Sequence, residues 1–308
     1  MVRVGVIGCG WFGNAHCRVY KGIKDVNLIA VSDINATRAK ETAELFKCRF
    51  YSDFREMMEK EDLDAVSIVV TPQHLARTAI EVMDYGVSIL LEKPLSSNIE
   101  SFETLYKQAK SKGAALMPGF IELFNPAYRE LKKIIQKGEL GEIYEASSIR
   151  IGRFPKKRVK WDIGVLLDLG IHEIYIQYDL FGGLEVLGCY RGFVLGEQYE
   201  DLALLLGKYS GDIIGMIEVN WITPIGVREI RVTGSRGSAL LNYMNQDVIV
   251  SYTDKTVKPH ILKNEPLKAE LEAFVNCVKS GSNPYPSVDY AADILNSIFT
   301  AIKQSKRI

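Results

Sequence analysis

The chain has few cysteines, no long apolar run and no net charge. Its 308 residues include five cysteines, an odd number without a CxxC pair, which argues against a disulfide scaffold or a thiolate zinc site. Lysine plus arginine and aspartate plus glutamate both total 38, so no overall field draws the chain to nucleic acid or to an anionic membrane. Asp, Glu, His and Cys nowhere cluster at metal-ligand spacing, and we therefore predict that the protein binds no metal.

The sequence also lacks the signals that would direct it out of the cytoplasm. It enters a strand pattern directly, without the basic start and apolar stretch of a secretory signal. Its apolar runs are far shorter than the about 20 residues that cross a bilayer. We expect a cytoplasmic protein with reduced thiols and no membrane association.

What is present is the composition of a globular protein, with 47% hydrophobic and 25% charged residues over a length that suits two domains. Up to about residue 120, short β-branched runs alternate with helical stretches, which predicts βαβ units and a doubly wound parallel sheet. Beyond that point, helices near 126–137 and 164–181 and a strand near 142–151 lead into a succession of strands separated by turns. We predict an α/β Rossmann domain over residues 1–121 and an α+β domain with a largely antiparallel open sheet over residues 122–308, which binds substrate and mediates oligomerisation.

A glycine motif follows the first predicted strand and opens the first predicted helix, with the sequence Gly8-Cys9-Gly10-Trp11-Phe12-Gly13. Its glycines allow a tight turn, close approach of a pyrophosphate and close helix packing, while the helix N-terminus attracts phosphate. Asp33 ends the second strand, twenty residues beyond Gly13, where it would accept hydrogen bonds from ribose hydroxyls. Strand, helix and acid together indicate a dinucleotide site.

Asp33 also bears on the choice of cofactor. A carboxylate repels a 2′-phosphate, and the next residues, Ile34 and Asn35, offer no cation, which favours NAD over NADP. Arg38 lies five residues on and could moderate that preference. The alternative for Asp33 is a simple turn or helix-capping acid.

Two further segments carry groups suited to proton transfer. Lys93 follows a predicted strand in Glu92-Lys93-Pro94, at the sheet edge where ligands bind. Asp168 and His172 are four residues apart in an apolar helical stretch, so they share one helix face and the acid would orient the base. The alternatives are a solvated lysine and a buried polar pair that is satisfied locally.

Together these segments resemble the glucose-fructose oxidoreductase and inositol dehydrogenase (Gfo/Idh/MocA) family over essentially the whole chain. The matching features are Gly8-x-Gly10-x-x-Gly13-x-x-His16, Asp33, Thr71-Pro72, Glu92-Lys93-Pro94 and Asp168-x-Gly170-x-His172. The resemblance implies an NAD(P)-dependent oxidoreductase acting on CH–OH groups, with Lys93, Asp168 and His172 as catalytic and substrate-contacting residues. It also implies that the cofactor is lined by Thr71, Pro72, His74, Glu92 and Lys93, beside the motif residues Gly8, Gly10, Trp11, Phe12, Gly13 and Asp33.

The chain departs from the family pattern near its helix histidine. Family members often carry an acid three residues after it, where this chain has Tyr175, and only Gly164 remains of a glycine-rich run before Asp168. Ala76 replaces a second histidine that is common after Thr-Pro. These changes leave the proposed proton-transfer group intact and put the substrate geometry in doubt.

A narrower resemblance is to the branch that oxidises the 3-hydroxyl of UDP-N-acetylglucosamine or its uronic acid. It lies in Phe120 to Ala127, Arg153-Phe154-Pro155, Asp162 to Val165 and Trp221 to Pro224. We add Asn125 and Arg153 as substrate-binding candidates. Arg153 would pair with the diphosphate of a UDP-sugar, or else belong to a solvated basic loop with its neighbours Arg150, Lys156, Lys157, Arg158 and Lys160.

Two other functions remain open at this stage. One is the dehydrogenation of a free polyol or monosaccharide, and the other is a non-catalytic nicotinamide-binding sensor. We also expect a homodimer or homotetramer, because apolar strands such as Leu202 to Leu206 and Met216 to Trp221 would leave an apolar sheet face to be covered by another copy.

Overall fold

The computed structural model describes residues 1–153, 162–196 and 198–308, which form two compact units. The first unit comprises Met1–Phe120 and Leu267–Ala292, and the second comprises Ile121–Pro266 and Asp293–Ile308. A single division after residue 121 had assigned the segment Leu267–Ala292 to the second part of the chain. Helical periodicity identifies such a segment as amphipathic but does not indicate which sheet it packs against.

Six parallel strands form the sheet of the first unit, with bounds β1 Val2–Ile7, β2 Val26–Ser32, β3 Arg49–Tyr51, β4 Ala65–Ile68, β5 Ser88–Glu92 and β6 Leu116–Gly119. Their order is β3-β2-β1-β4-β5-β6, and every pairing is parallel. This confirms the predicted doubly wound sheet. The order reverses between β1 and β4, so the ligand-binding crevice of such a sheet opens at the carboxyl ends of these two strands.

Five helices accompany these strands, with bounds α1 Trp11–Gly22, α2 Ala36–Phe46, α3 Phe54–Lys60, α4 Pro72–Val82 and α5 Ile99–Lys112. Side-chain caps fix where three of them begin, and at α3 the side chain of Asp53 accepts the backbone N–H of Arg55. Asn35 accepts the backbone N–H of Arg38 at the start of α2, and Asn98 accepts that of Ser101 at the start of α5. The strands that the helices cover are apolar and buried, and all four residues of β4 are inaccessible.

Nine strands form the sheet of the second unit, with bounds β7 Ile143–Arg153, β8 Leu184–Gly192, β9 Leu202–Tyr209, β10 Ile213–Asn220, β11 Ile222–Gly234, β12 Gly237–Asn242, β13 Asp247–Ser251, β14 Thr256–Val257 and β15 Lys306–Arg307. Their order is β14-β13-β12-β11-β7-β10-β9-β8-β15. The pairs β7–β10 and β8–β15 are parallel and the others are antiparallel, so the predicted α+β architecture is confirmed.

The helical elements in the described residues of the second part of the chain are a 3₁₀-helical turn Ile121–Phe124, α6 Pro126–Gln136, a π-helical turn Leu166–Gly170, α7 Ile171–Phe181, α8 Pro266–Ser280 and α9 Val288–Gln304. The π-helical turn is a departure from the single helix predicted over residues 164–181. Seven consecutive residues of α7, Ile171–Gln177, are buried, and four of them are polar. A helix that buries polar groups on every side is a candidate for a functional element.

None of the helices in the described residues combines the length and apolar character that a membrane crossing requires.

Candidate active site

The glycine motif forms the turn between β1 and α1 in the first unit. Gly8 has a φ of +101°, and a Cβ atom there would lie 2.3 Å from the carbonyl oxygen of Val69. A Cβ on Gly13 would lie 1.8 Å from the carbonyl oxygen of Gly8. Gly10, in contrast, faces open space, with no heavy atom within 4 Å of its Cβ position. Two glycines thus serve the packing of the turn, and the third leaves the backbone open to a ligand.

Asp33 joins this turn to the start of α2. Its buried carboxylate accepts the backbone N–H of Cys9 at Oδ2 (2.9 Å) and that of Asn35 at Oδ1 (2.8 Å). The guanidinium of Arg38 donates to the same Oδ2 at 3.3 Å, so the cation that lies five residues on does reach the acid. Burial, together with the charge of Asp33, raises the pKa of the Cys9 thiol to about 12, so this thiol stays neutral.

The side chains around the open face of the turn suit a dinucleotide. Trp11 is 83% exposed and stacks on Phe12 with ring centroids 5.5 Å apart. Thr71 precedes α4, Pro72 is the first residue of that helix, and His74 is exposed on its first turn. An open backbone at Gly10 at the start of a helix and a fixed carboxylate at the end of the second strand are the features that a Rossmann domain uses to bind NAD, so the residues present fit this cofactor.

Lys93 directly follows β5 and is half-buried. Its backbone N–H donates to Oε2 of Glu92 at 3.2 Å, and Oε1 of Glu92 lies 3.1 Å from Nε2 of His16. Because His16 and Glu92 are both buried, the two side chains tie α1 to the backbone that carries Lys93. These partners are 76 residues apart in the sequence, and no local pattern predicted their pairing.

In the second unit, Asp168 lies in the π-helical turn and His172 is the second residue of α7. Both are buried. The i, i+4 relation on which the sequence prediction depended belongs to a regular α-helix, whereas the π-helical turn between them bonds i to i+5. Turns of this kind occur often at functional sites.

His172 contacts a tyrosine that is also buried. Its Nδ1 lies 2.9 Å from the hydroxyl oxygen of Tyr175, and the two rings meet edge to face with centroids 5.5 Å apart. The same hydroxyl oxygen accepts the backbone N–H of Glu122 at 3.0 Å. Tyr175 had been noted only as a departure from the family pattern.

A buried ion cluster lies beside this tyrosine. Arg150 donates from Nε to Oε1 of Glu173 at 2.6 Å and from Nη2 to Oε1 of Glu122 at 3.0 Å. The hydroxyl of Tyr243 donates to Oε2 of Glu173 at 3.2 Å. Burial raises the pKa of Glu173 above its usual range despite the adjacent guanidinium. Arg150, which we had counted among the cations of a basic stretch, is therefore an interior residue.

The two substrate candidates differ in their surroundings. Asn125 is buried and caps α6, and both hydrogens of its amide donate within the protein, to Oε2 of Glu122 and to the carbonyl oxygen of Tyr243. These bonds favour a structural role. Arg153 is exposed at the end of β7. Its neighbours in the predicted motif and basic stretch, Phe154, Pro155, Lys156, Lys157, Arg158 and Lys160, lie outside the described residues.

Glu200, which belongs to none of the sequence motifs, anchors the start of the segment that carries Asp168. Its backbone carbonyl accepts the N–H of Val165 at 2.9 Å, and its Oε1 accepts that of Leu166 at 3.2 Å. Arg191 donates to its Oε2 at 3.2 Å. A Cβ atom on Gly164 would lie 2.1 Å from the Glu200 carboxylate, which explains this glycine. In the sequence near Asp168, Gly164 is the residue whose type reflects this contact with Glu200.

Across residues 1–153, 162–196 and 198–308, no group of three or more His, Cys, Asp or Glu side chains is placed to hold a metal ion.

The chain is similar to oxidoreductases along most of its length. Residues 2–120 match the profile of an oxidoreductase family with an NAD-binding Rossmann fold, and residues 128–240 match the GFO/IDH/MocA C-terminal domain.

Two relatives cover nearly the whole chain. A scyllo-inositol 2-dehydrogenase (NAD(+)) of Bacillus subtilis (strain 168) is 28% identical over 301 residues, which is 92% of this chain and 88% of that protein. A UDP-N-acetylglucosamine 3-dehydrogenase of Acidithiobacillus ferrooxidans is 27% identical over 288 residues, 90% and 88% of the two chains. A solved structure of a UDP-N-acetylglucosamine 3-dehydrogenase from Acidithiobacillus ferrooxidans superposes with a TM-score of 0.87 at 23% identity, covering 98% of this chain and 97% of that chain, which shows a common fold.

Proposed function

Because this chain belongs to the Gfo/Idh/MocA family of oxidoreductases, we propose that it is an NAD-dependent dehydrogenase of a nucleotide sugar. The reaction is oxidation of the 3-hydroxyl of UDP-N-acetylglucosamine or of its uronic acid. The observation that carries the NAD-dependent part of the proposal is the fixed carboxylate of Asp33 beside the open backbone of Gly10. This pair suits a nicotinamide dinucleotide. The class of substrate, a sugar or polyol, follows from the family.

Support for a nucleotide sugar over a free polyol comes from the segments of narrower resemblance. The inositol and UDP-sugar relatives are similar to this chain at 28% and 27% identity, so overall similarity favours neither. Arg153 is exposed at the end of β7 and offers a guanidinium fork suited to diphosphate oxygens. A free polyol carries no diphosphate for such a cation to bind.

We assign the chain's residues as follows. The open backbone at Gly10 allows the pyrophosphate to approach closely, and the carboxylate of Asp33 accepts hydrogen bonds from the ribose hydroxyls. Either Lys93 or His172 removes the proton of the substrate hydroxyl, and Asp168 holds the base in orientation. Bound NAD supplies the hydride acceptor.

A single-turnover scan tests the function. Stoichiometric enzyme and NAD are mixed with UDP-N-acetylglucosamine, its uronic acid, free N-acetylglucosamine or inositols, and the absorbance of reduced nicotinamide is followed. We expect reduction with a UDP-sugar alone. Reduction by free sugars alone would make the protein a polyol or monosaccharide dehydrogenase. Bound NAD that no sugar reduces would support a non-catalytic sensor.

The diphosphate contact is tested by Arg153→Ala. Loss of this guanidinium should raise KM for the UDP-sugar by about 10-fold, equivalent to about 1.4 kcal/mol, with kcat little changed because the contact is distant from the reacting carbon. Arg77→Ala, which removes an exposed arginine from α4, is the matched control. An unchanged KM in Arg153→Ala would mean that Arg153 does not bind the diphosphate and belongs to a solvated loop.

The cofactor preference is tested by Asp33→Asn. The substitution keeps one of the two acceptor oxygens that bind backbone N–H groups of the turn. It removes the charge that repels a 2′-phosphate and releases Arg38, which lies 3.3 Å from Oδ2 in the wild type. We expect the ratio of kcat/KM for NAD to that for NADP to fall by at least about 10-fold. Adding Arg38→Gln should reverse part of the gain with NADP. An unchanged ratio would mean that Asp33 stabilises the turn but does not select between NAD and NADP.

We also propose that the protein self-associates through one face of the second unit's sheet. Leu206 is 41% exposed on β9 and lies opposite Met216 of β10, which is 37% exposed. Leu204 and Tyr190 continue this apolar face in neighbouring positions. A second copy would cover it, as in other sheets with one free apolar face.

Leu206→Glu should therefore shift the protein from dimer or tetramer to monomer in sedimentation velocity at micromolar concentration. Leu262→Glu, a change at an exposed leucine outside the strands of this sheet, serves as the control. A wild-type chain that sediments as a monomer would rule out the association.

A further inference from the structure

We infer that the side chain of Asn14 orients the glycine turn for a pyrophosphate, and that Asn14 is a positioning residue of the cofactor site. Asn14 lies on α1 directly after Gly13, the last glycine of the motif, and is half-buried. This role rests on the proposed function in one respect, namely that the turn from Gly8 to Gly13 binds the pyrophosphate of NAD. It does not depend on which sugar is oxidised. All the contacts involved lie within the first unit.

The amide nitrogen of Asn14 binds two carbonyl oxygens of the turn. Nδ2 donates to the carbonyl oxygen of Cys9 at 2.9 Å and to that of Gly10 at 3.0 Å. A carbonyl oxygen only accepts, so the atom that faces both of them is the amide nitrogen and not the amide oxygen. On the other side of the amide, Oδ1 accepts the hydroxyl of Thr42 from α2 at 3.4 Å. Both hydrogens of the Asn14 amide are therefore engaged by the turn.

These two bonds determine the direction of two backbone N–H groups. The carbonyl of Cys9 shares a peptide group with the N–H of Gly10, and the carbonyl of Gly10 shares one with the N–H of Trp11. In a planar trans peptide the carbonyl and the N–H bonds point in opposite directions. Because both carbonyls are directed towards Asn14, both N–H groups are directed away from it. They precede or begin α1, where N–H groups have no acceptor within the helix.

Asp33 holds the same turn from another side. Its carboxylate accepts the N–H of Cys9 at 2.9 Å, so Cys9 is fixed at its N–H by Asp33 and at its carbonyl by Asn14. Around the Cβ position of Gly10 there is no heavy atom within 4 Å, which leaves room for an anion. Neighbouring N–H groups that already point outwards bind an anion without first having to be ordered. Asn14 should therefore strengthen the binding of a pyrophosphate.

Calorimetric titration with NAD tests this role in Asn14→Leu and Asn14→Asp. Leucine is similar in size and has no donor, so Kd for NAD should rise by about 10-fold. Aspartate would place a carboxylate against two carbonyl oxygens and turn the peptide groups away, so Kd should rise by at least about 30-fold. Asn27→Asp makes the same change of charge at an exposed position near the amino end of β2 and should leave Kd unchanged. An unchanged Kd in Asn14→Leu would overturn the inference.

A comparison of two ligands separates this role from a general loss of structure. ADP-ribose carries the pyrophosphate, whereas adenosine carries ribose hydroxyls without it. In Asn14→Leu, Kd for ADP-ribose should rise as much as Kd for NAD, while Kd for adenosine stays within about twofold of wild type. An equal rise for both ligands would mean that the variant disturbs the whole site, and would overturn the inference. Equal affinities of the wild type for the two ligands would refute the pyrophosphate site of the proposed function, and the role of Asn14 with it.

The backbone N–H of Trp11 reports on the contact directly. The chain has three tryptophans, so protein labelled with ¹⁵N-tryptophan gives few backbone amide signals, and that of Trp11 is identified by its loss in Trp11→Phe. In the wild type, ADP-ribose should move this signal downfield, as a hydrogen bond to a phosphate oxygen does, and adenosine should not. In Asn14→Asp, saturating ADP-ribose should produce a smaller shift. A full wild-type shift in Asn14→Asp would show that the turn is oriented without Asn14 and would overturn the inference.

Discussion

Replacing Lys93 by methionine should lower kcat for sugar oxidation by about 10²–10⁴-fold, the usual contribution of a positioned acid or base. Methionine keeps the length and apolar stem of the side chain and removes the amine. Binding of NAD should weaken much less than turnover, because Lys93 is one of many residues expected to line the cofactor, and the glycine turn and Asp33 that would hold the dinucleotide belong to other elements of the first unit. Single-turnover absorbance and cofactor titration measure the two effects separately.

Lys93→Arg distinguishes a base from a fixed positive charge. Arginine keeps the charge and does not lose its proton in proteins, so a lysine that acts as base should not be restored by it. If Lys93 contributes only charge, Lys93→Arg should recover much of the rate lost in Lys93→Met. Lys107→Met, at an exposed position on α5, controls for the loss of a lysine. Turnover within about fivefold of wild type in Lys93→Met would exclude Lys93 from the chemistry.

The fold was predictable wherever hydrophobic periodicity ran long enough. The sheet of the first unit was predicted, but its outer strands β3 and β6 have only three and four residues and leave no periodic signal. The start of β11 is harder to predict from the sequence, because Pro224 and Gly226 are residue types that usually interrupt a strand. The strand in fact begins at Ile222 and accommodates them where its register shifts between Ile222 and Val227.

The family, the oxidoreductase class and the cofactor NAD were also predictable, since they depend on motifs in which spacing reflects local geometry. The turn from Gly8 to Gly13 and the acid at Asp33 are of this kind. The roles of individual site residues stay predictions.

Long-range partners were not predictable in the same way. His16 and Glu92 are 76 positions apart, and Arg150 is 28 from Glu122. Arg150 appeared to belong to a basic stretch because a charge in a strand gives no sign of whether an acid faces it. Tyr175 was visible as a departure, but its contact with the Glu122 backbone depends on tertiary packing.

Arg150→Met should lower the free energy of unfolding by about 3–5 kcal/mol, the range found when one partner of a buried ion pair is removed. The arginine is fully enclosed and donates to both Glu122 and Glu173. Methionine fills much of its volume but leaves two carboxylates in the interior without the cation. Chemical denaturation followed by circular dichroism measures the loss, and Lys208→Met, at an exposed ion pair, should match wild type.

The deficit of Arg150→Met should depend on pH with a definite sign. Burial already raises the pKa of Glu173, and loss of the guanidinium raises it further, so the folded variant favours the protonated acid. Stability linked to a carboxyl with a raised pKa is present below its unfolded value and is lost as the pH rises through the folded value. The variant should therefore be closer to wild type at about pH 5 than at about pH 8, and Glu173→Gln added to it should remove much of this difference. A deficit independent of pH would mean that the lost stability comes from packing, because only a change in proton binding makes an unfolding free energy vary with pH.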